Sequence, residues 1–254
     1  MNIDRIKRKT AIKKISFFQT IDSTNSYLLE HGECGEICIS NEQSAGRGRR
    51  GNTWVSPDSG NLYFSLCWCF DKTPRFWSLL GLVVGIAIAE TLEDIGLNGH
   101  GIKWPNDIFW QQRKMGGILL ETINQTGKVV IGIGLNLQLS KKEQMQIDQA
   151  VVSLDKAMQG QSFSKDDLLI ALINKLHYHL KNFKNLNIKS FIASWNHWDI
   201  LLGKTVSILH QGNEINGQIT GIDSQGRLGF IETGSHKEIY FTSADIKLKA
   251  LNKA

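Results

Sequence analysis

The chain has 254 residues, of which 41% are hydrophobic and 21% are charged, and its formal net charge is +5. This composition is typical of a globular protein with a substantial core and argues against long disorder, a collagen-like repeat or a coiled coil. The longest apolar run, residues 79–89, is shorter than the roughly 20 residues that span a bilayer. The N-terminus has no apolar stretch typical of a secretion signal. We therefore expect a cytoplasmic protein without a membrane segment.

The excess positive charge lies in residues 1–14, where six basic residues face the single acid Asp4. The basic residues are Arg5, Lys7, Arg8, Lys9, Lys13 and Lys14. The rest of the chain holds 23 basic and 23 acidic residues and is formally neutral. Because a nucleic-acid-binding face concentrates cations, the pI near 9.0 indicates a short basic arm rather than such a face. We expect this arm to be solvated.

Four cysteines form a C-x3-C pair, Cys34 and Cys38, and a C-x-C pair, Cys67 and Cys69. These spacings fit neither a zinc knuckle nor a disulfide framework. We expect all four to be reduced packing residues.

The first half of the chain predicts a helix, two strands, a long loop and a second helix. Ser23-Thr24-Asn25 offers N-cap residues before a short apolar helix, and residues 36–40 read as a strand. Residues 41–61 form a polar, glycine-rich loop of the length that is usually functional. Residues 62–70 are apolar on both faces, as in a central strand, and Thr73-Pro74 predicts the start of a buried helix that ends near Ile95.

The second half begins with three or four strands in residues 101–139. In the last of them, period-2 alternation puts Gly132, Gly134 and Asn136 on one face. This bare face either lets a ring of another molecule approach closely or accommodates a packed helix. Two amphipathic helices follow, one from Ser164 and one over residues 188–198, and the short β-type runs after Gly203 predict a small β-barrel.

The loop segment Gly46-Arg47-Gly48-Arg49-Arg50-Gly51 combines glycines, which allow close backbone approach, with guanidinium groups that grip carboxylates and phosphates. It lacks the G-x4-G-K-[ST] pattern of a Walker A loop. It is either an anion-binding loop or an exposed basic turn.

Two further segments favour anion binding. In Lys103-Trp104-Pro105-Asn106-Asp107 a lysine and an acid flank a turn at a sheet edge. Lys114 precedes Gly116-Gly117, where a cation can reach a ligand lying against bare backbone.

These motifs, with Gln43-Ser44-Ala45 before the loop and Gly132-Ile133-Gly134-Leu135-Asn136, resemble those of the biotin–protein ligases, in the same order and with similar gaps. The similarity covers most of residues 17–250. It implies an α+β fold: a mixed sheet with flanking helices like that of class II aminoacyl-tRNA synthetases, followed by a small SH3-like barrel. The implied domains are a basic arm (1–14), a catalytic biotin- and ATP-binding domain (15–200) and the barrel domain (201–254).

The resemblance implies a reaction in two steps. Biotin and MgATP give biotinyl-5′-AMP and pyrophosphate, and a lysine of a biotin carboxyl carrier protein then attacks the mixed anhydride. The implied biotin-binding residues are Ser23, Thr24, Asn25, Gln43, Arg47, Gly48, Arg49, Lys114 and Gly117. The implied ATP-binding residues are Arg49, Trp54, Lys103, Asn106, Lys114 and Asn136. Arg49, Lys114 and Asp107 are the implied catalytic residues, and Asp107 is the candidate magnesium ligand.

The expected partners are biotin, ATP and the carrier domain of a carboxylase, and a homodimer is compatible with the resemblance. Bifunctional members of the family carry a winged helix-turn-helix domain, which 22 residues before Ser23 cannot hold, so we expect no operator-DNA binding. Three alternatives stay open at this stage: a lipoate–protein ligase, a nucleic-acid-binding module and a non-catalytic biotin binder.

Overall fold

The computed structural model describes residues 1–58, 60–123, 127–210 and 212–248. Within these residues the helices are α1 (Ile3–Lys9), α2 (Thr24–His31), α3 (Leu80–Asp94), α4 (Lys141–Met145), α5 (Leu154–Ala157), α6 (Lys165–Asn182) and α7 (Ile188–Trp198). The strands are β1 (Lys14–Ile21), β2 (Glu36–Gln43), β3 (Leu62–Cys69), β4 (His100–Lys103), β5 (Asp107–Trp110), β6 (Arg113–Ile123), β7 (Lys128–Leu135), β8 (Thr205–His210), β9 (Asn213–Ile222), β10 (Leu228–Glu232), β11 (Glu238–Phe241) and β12 (Asp245–Leu248). None of the described helices is both long and apolar enough to cross a bilayer.

Seven strands form one mixed sheet in the order β1-β2-β3-β7-β6-β5-β4. β1 and β2 are parallel, and the other neighbours are antiparallel. The central strands β3 and β7 are almost continuously buried, because helices cover both faces of the sheet. α3 and α6 pack over the main core on one face. α2 covers the other face through a small cluster of Leu28, Cys38, Cys67 and Val130.

The second sheet is antiparallel, in the order β11-β10-β9-β8-β12. It contacts the turn between β4 and β5, where the Trp104–Pro105 peptide bond is cis. Lys103 Nζ donates to the carbonyl of Ile246 at 2.9 Å, and Trp104 Nε1 donates to the carbonyl of Gly226 at 2.9 Å. The small sheet is therefore attached directly to a segment that the sequence singled out for its chemistry.

The N-terminal segment differs from the prediction of a solvated arm. Residues 3–9 form α1, which packs against α6 with Ile6 fully buried. Arg5 forms an ion pair with Asp167. Ile3 and Ile6 lie one helical turn apart among the basic residues, and this apolar stripe holds the segment on the core.

The prediction for the cysteines is wrong for two of the four. Cys34 and Cys69 form a disulfide with their Cα atoms 5.5 Å apart. The antiparallel register of β2 and β3 pairs Ile37 with Leu66, and three residues outward it brings Cys34 opposite Cys69. Spacing along the chain contains no information on this register. Cys38 and Cys67 are free and buried, as predicted.

The start of helix α3 and the presence of strand β1 also differ from the predictions. The helix expected from Thr73 begins at Leu80, after a single 3-10 turn over Trp77–Leu79. Trp77 packs edge-on against Phe70, with ring centroids 5.7 Å apart. This contact brings the two ends of residues 71–76 together, so that these residues form a turn rather than the start of the helix. Strand β1 was not predicted, because a half-exposed edge strand has a weak alternation signal.

Candidate active site

A cavity of about 650 Å³ opens on the larger sheet, within the usual size range of small-molecule sites. All fourteen site residues predicted from the sequence line it, although they come from distant segments. They are Ser23, Thr24, Asn25, Gln43, Arg47, Gly48, Arg49, Trp54, Lys103, Asn106, Asp107, Lys114, Gly117 and Asn136. The sheet brings them together, and their individual roles remain predictions.

The floor of the cavity is the predicted bare face of β6 and β7, where Gly117 pairs with Gly134. The Trp54 indole lies on it: a Cβ added at Gly134 would be 2.6 Å from Trp54 Cε2, and one at Gly117 would be 2.9 Å from Cζ3. At Gly132 an added Cβ would be 2.2 Å from Asn25 Oδ1. The ring that approaches the glycines is thus the protein's own, and Gly132 accommodates a residue of α2.

A network of neutral polar groups joins α2 to the sheet at one end of the cavity. The backbone N–H of Thr24 donates to Gln43 Oε1 at 2.9 Å, and its hydroxyl lies 2.7 Å from Ser65 Oγ. Ser65 Oγ donates to Asn25 Oδ1 at 2.5 Å, and Gln43 Nε2 donates to Ser56 Oγ at 2.8 Å. These side chains are largely buried and hold one another in place, so this end is preorganised for a neutral polar ligand.

Residues 46–51, here called the arginine loop, cross the cavity as part of a short hairpin that is closed by a bridge between Arg47 and Thr53. Arg49 Nη1 donates to Asn106 Oδ1 at 3.0 Å. Arg47 Nη2 donates to Glu121 Oε2 at 2.6 Å. The loop arginines are therefore held by one amide in the cavity wall and by one carboxylate outside it.

The other end of the cavity carries the ion pair between Lys114 Nζ and Asp107 Oδ1, 3.0 Å apart. The side chains are 14% and 21% exposed, which leaves this pair less screened than a surface pair. Lys114 Nζ also lies 5.2 Å from the centroid of the Trp54 ring, within range of a cation–π contact. Adjacent residues, Asn106 and Asp107, thus hold the guanidinium of Arg49 and the ammonium of Lys114.

Cations outnumber acids in the cavity wall. The cations are Arg47, Arg49, Arg50, Lys103 and Lys114, and the acids are Asp107 and Asp148. This balance favours an anionic ligand. Among the described residues no group of three or more His, Cys, Asp or Glu side chains could hold a metal ion. A magnesium ion that arrives with phosphates needs only one or two protein carboxylates, and Asp107 fits that requirement.

Several residues at the site were missed in the sequence. Ser65 belongs to a strand that reads as apolar, and Glu121 is a lone acid in the apolar strand β6. Residues 146–149 and 151, Ala244 just before β12 and Ile246 on β12 also line the cavity. A polar residue inside an otherwise apolar strand is the available signal for the first two, whereas the others depend on tertiary contacts.

Comparison with known proteins agrees with this geometry. Residues 17–137 match the biotin/lipoate A/B protein ligase family, and residues 201–249 match the biotin protein ligase C-terminal domain. The bifunctional ligase/repressor BirA of Salmonella typhimurium is 35% identical over 256 residues, covering 96% of this chain and 79% of that protein. The chain belongs to the biotin protein ligase family. The Escherichia coli BirA is 36% identical over 242 residues, covering 91% of this chain and 75% of that protein.

A solved structure of the biotin protein ligase from Aquifex aeolicus, in complex with biotin and ATP, superimposes with a TM-score of 0.79 at 26% identity. The alignment covers 94% of this chain and all of that one. The predicted family and fold class, a mixed sheet with flanking helices and a small SH3-like domain, are confirmed.

Proposed function

We propose that the protein joins biotin to a lysine of a carrier protein in an ATP-dependent reaction through biotinyl-5′-AMP. The observation that carries this proposal is the pair of cations Arg49 and Lys114, held by adjacent residues in one cavity that has a neutral polar network at its other end. Such a cavity suits a ligand with a neutral polar head and an acidic tail. Biotin, with its ureido ring and carboxylate, has this character.

The ureido ring lies in the network around Thr24 and Gln43, with Ser23 and Asn25 beside it. Buried polar groups that lose their partners can reject a ligand by about 10⁴-fold. The resemblance implied that Trp54 binds ATP, but its indole lies over Gly117 and Gly134, and we assign it to the apolar part of biotin instead. Its Nε1 is a buried donor without a hydrogen-bond partner among the described residues. Gly117 leaves room for the Trp54 indole, and the Arg47-Gly48 backbone lies beside the ureido ring.

In the first step an oxygen of the biotin carboxylate bonds to the α-phosphorus of ATP, and the bond to the leaving pyrophosphate breaks. Arg49 and Lys114 stabilise the negative charge that concentrates there. In the second step the carrier amine bonds to the acyl carbon, AMP leaves, and Asp107 accepts the amine proton. No covalent bond to the protein is needed, so positioning and charge neutralisation account for catalysis.

ATP binds along Asn106, Lys103 and Asn136, opposite the polar network. Lys103 already donates to the carbonyl of Ile246, so nucleotide binding includes the edge of the small sheet. Asp107 is the residue that would hold a magnesium ion, which would supply positive charge to offset that of the ATP phosphates.

The partners follow from the same reaction: biotin, ATP and the biotin carboxyl carrier domain of a carboxylase. An ATP-consuming reaction favours the cytoplasm. The proposed homodimer can be tested by analytical ultracentrifugation.

We expect no operator binding by this chain, because the residues after position 14 are formally neutral. A mobility-shift titration at low salt tests this expectation.

Exchange of radiolabelled pyrophosphate into ATP tests the first step. We expect exchange with biotin and none with lipoate, because lipoate lacks the groups that the polar network binds. Exchange with lipoate alone would favour the acyl-ligase alternative, and exchange with neither acid would contradict the proposed function.

A further inference from the structure

Glu121 on β6 links two parts of the candidate site, helix α2 and the arginine loop. A single carboxylate oxygen, Oε2, accepts hydrogen bonds from Asn25 Nδ2 at 2.8 Å and from Arg47 Nη2 at 2.6 Å. Asn25 belongs to α2 and Arg47 to the arginine loop. Glu121 is therefore the point where the loop, α2 and the sheet meet.

The contact with Glu121 determines which way the Asn25 amide faces. Asn25 Nδ2 points to the carboxylate and lies 3.4 Å from the carbonyl of Leu119, while Oδ1 accepts from Ser65. A flipped amide would place Oδ1 against a carboxylate oxygen, and two acceptors repel. Asn25 is 3% exposed and lies tightly over Gly132, so it has little room to choose another position.

The same carboxylate holds the arginine loop over the cavity. The Arg47–Glu121 contact lies on the side of α2, and the Arg49–Asn106 contact lies on the side of the turn after Lys103. The Arg47 and Glu121 side chains are 40% and 26% exposed, so solvent weakens the ion pair as such. The hydrogen bond that Oε2 shares with buried Asn25 fixes the carboxylate where Arg47 can reach it.

We propose that Glu121 is a positioning residue that orients Asn25 for biotin and keeps the arginine loop closed over the activated intermediate. This inference rests on the proposed function. Glu121 does not line the cavity and does not act on the reacting atoms. Its loss should affect biotin affinity and retention of the adenylate much more than the rate of the chemical step.

The test compares Glu121→Gln with the wild type in biotin-dependent pyrophosphate exchange and in hydroxylamine trapping of released biotinyl-5′-AMP. In Glu121→Gln the amide oxygen can still accept, but the charge-assisted hydrogen bonds from Asn25 and Arg47 become neutral bonds of roughly half the strength, so we expect the KM for biotin to rise by roughly 3- to 10-fold. We expect kcat for exchange to change by less than about threefold, because a uniform binding loss leaves the chemical barrier intact. Biotin hydroxamate should accumulate several-fold faster than with the wild type.

Two further variants separate the two contacts. Arg47→Met should reproduce the increase in hydroxamate, and combining it with Glu121→Gln should add little, because one change removes and the other weakens the same contact. Asn25→Ala should reproduce the increase in KM. Glu42→Gln is the matched control, since Glu42 accepts from Thr20 on β1 and does not line the cavity.

A KM and a hydroxamate rate within twofold of the wild type in folded Glu121→Gln would overturn the inference. A fall in kcat at unchanged KM would also overturn it, because Glu121 would then act on the chemistry. Circular dichroism melting reports folding of each variant. If the wild type shows no exchange, the proposed function is contradicted. If the wild type shows exchange and Glu121→Gln behaves in the same way, only the inference about Glu121 is contradicted.

Discussion

At the scale of single residues, Gly132 shows how a missing side chain positions a polar group. An added Cβ would be 2.2 Å from Asn25 Oδ1, closer than real Cβ contacts. The backbone of Gly132 does not have a positive φ, so an alanine there is opposed by Asn25 rather than by backbone strain.

We expect Gly132→Ala to displace the Asn25 amide from Ser65 and Glu121. Loss of these hydrogen bonds should raise the Kd for biotin by roughly 10-fold or more and affect the Kd for ATP less. Isothermal titration calorimetry measures both. Gly81→Ala is the control, because its Cβ would be 3.5 Å from Leu120 Cδ1, an ordinary contact. Equal biotin affinity in the wild type and Gly132→Ala would contradict this explanation of the glycine.

The residues of the site could be predicted from the sequence, but most of their contacts could not. Spacing and residue type selected Arg49, Asn106, Asp107 and Lys114, and the resemblance assigned their roles. That Arg49 contacts Asn106 and Lys114 contacts Asp107 depends on side-chain directions across the sheet. Glu121 was missed because its one local signal, an acid inside an otherwise apolar strand, does not reveal its contacts with Asn25 and Arg47.

At the scale of elements, the arginine loop is held by few apolar contacts. Arg47 and Arg50 are exposed, and none of the residues 44–51 belongs to the buried hydrophobic core. Segments with few buried apolar contacts open readily. Ligands that bind beneath the loop should therefore hold it closed.

We expect biotin with ATP to slow tryptic cleavage in the loop several-fold, because in the proposed function these ligands contact Arg47 and Arg49 and would shield them. Mass spectrometry of the fragments locates the cleaved bonds. Cleavage after Lys72, an exposed residue outside the cavity, serves as the control and should be unaffected. Equal loop cleavage with and without ligands would show that the loop does not close.

The disulfide joins the segment after α2 to the end of β3 across 35 residues of sequence. In the chain-entropy model, closing a loop of this length stabilises the folded state by roughly 4 kcal/mol. We expect reduction with dithiothreitol to lower the free energy of unfolding by up to this amount in urea titrations. The Cys34→Ser/Cys69→Ser variant should not respond to dithiothreitol, and a wild type equally insensitive would contradict the prediction.

At the scale of the whole molecule, Asp199 occupies the junction between the two sheets. It follows α7, and its carboxylate accepts hydrogen bonds from Trp195 Nε1 at 3.1 Å and from the backbone of Leu201 at 2.8 Å. The next residue, Ile200, donates to the carbonyl of Ile102 on β4 at 3.1 Å. Burial raises the pKa of Asp199 to about 6, despite these hydrogen bonds.

A raised pKa means that the folded state binds the Asp199 proton more tightly than the unfolded state does. This carboxyl therefore stabilises the fold most at low pH, and its contribution is lost as the pH rises through about 6. Between pH 5 and 7.5 the loss should be about 1 kcal/mol. Urea titrations at both pH values should show this difference between the wild type and Asp199→Asn. Parallel pH profiles would contradict it.

Periodicity predicted much of the architecture: a central strand over residues 62–70, where β3 lies, three or four strands in residues 101–139, where the structure has four, helix α7 and a small β domain after Gly203. It could not predict what depends on tertiary contact. α1 is held by a few buried side chains, β1 is a half-exposed edge strand, and the disulfide depends on strand register. The attachment of the small sheet to Lys103 and Trp104 likewise has no local signal.

The central claim, that one cavity activates biotin with ATP and delivers it to a carrier lysine, has a direct test. The protein is incubated with biotin, MgATP and a biotin carboxyl carrier domain, and the carrier is weighed by mass spectrometry. We predict a gain of one biotinyl group, absent without ATP, absent when the carrier lysine is replaced by arginine, and strongly reduced in Lys114→Ala. A carrier of unchanged mass would contradict the account. Two controls are needed for this result: the protein must be folded, and another biotin protein ligase must be able to modify the same carrier.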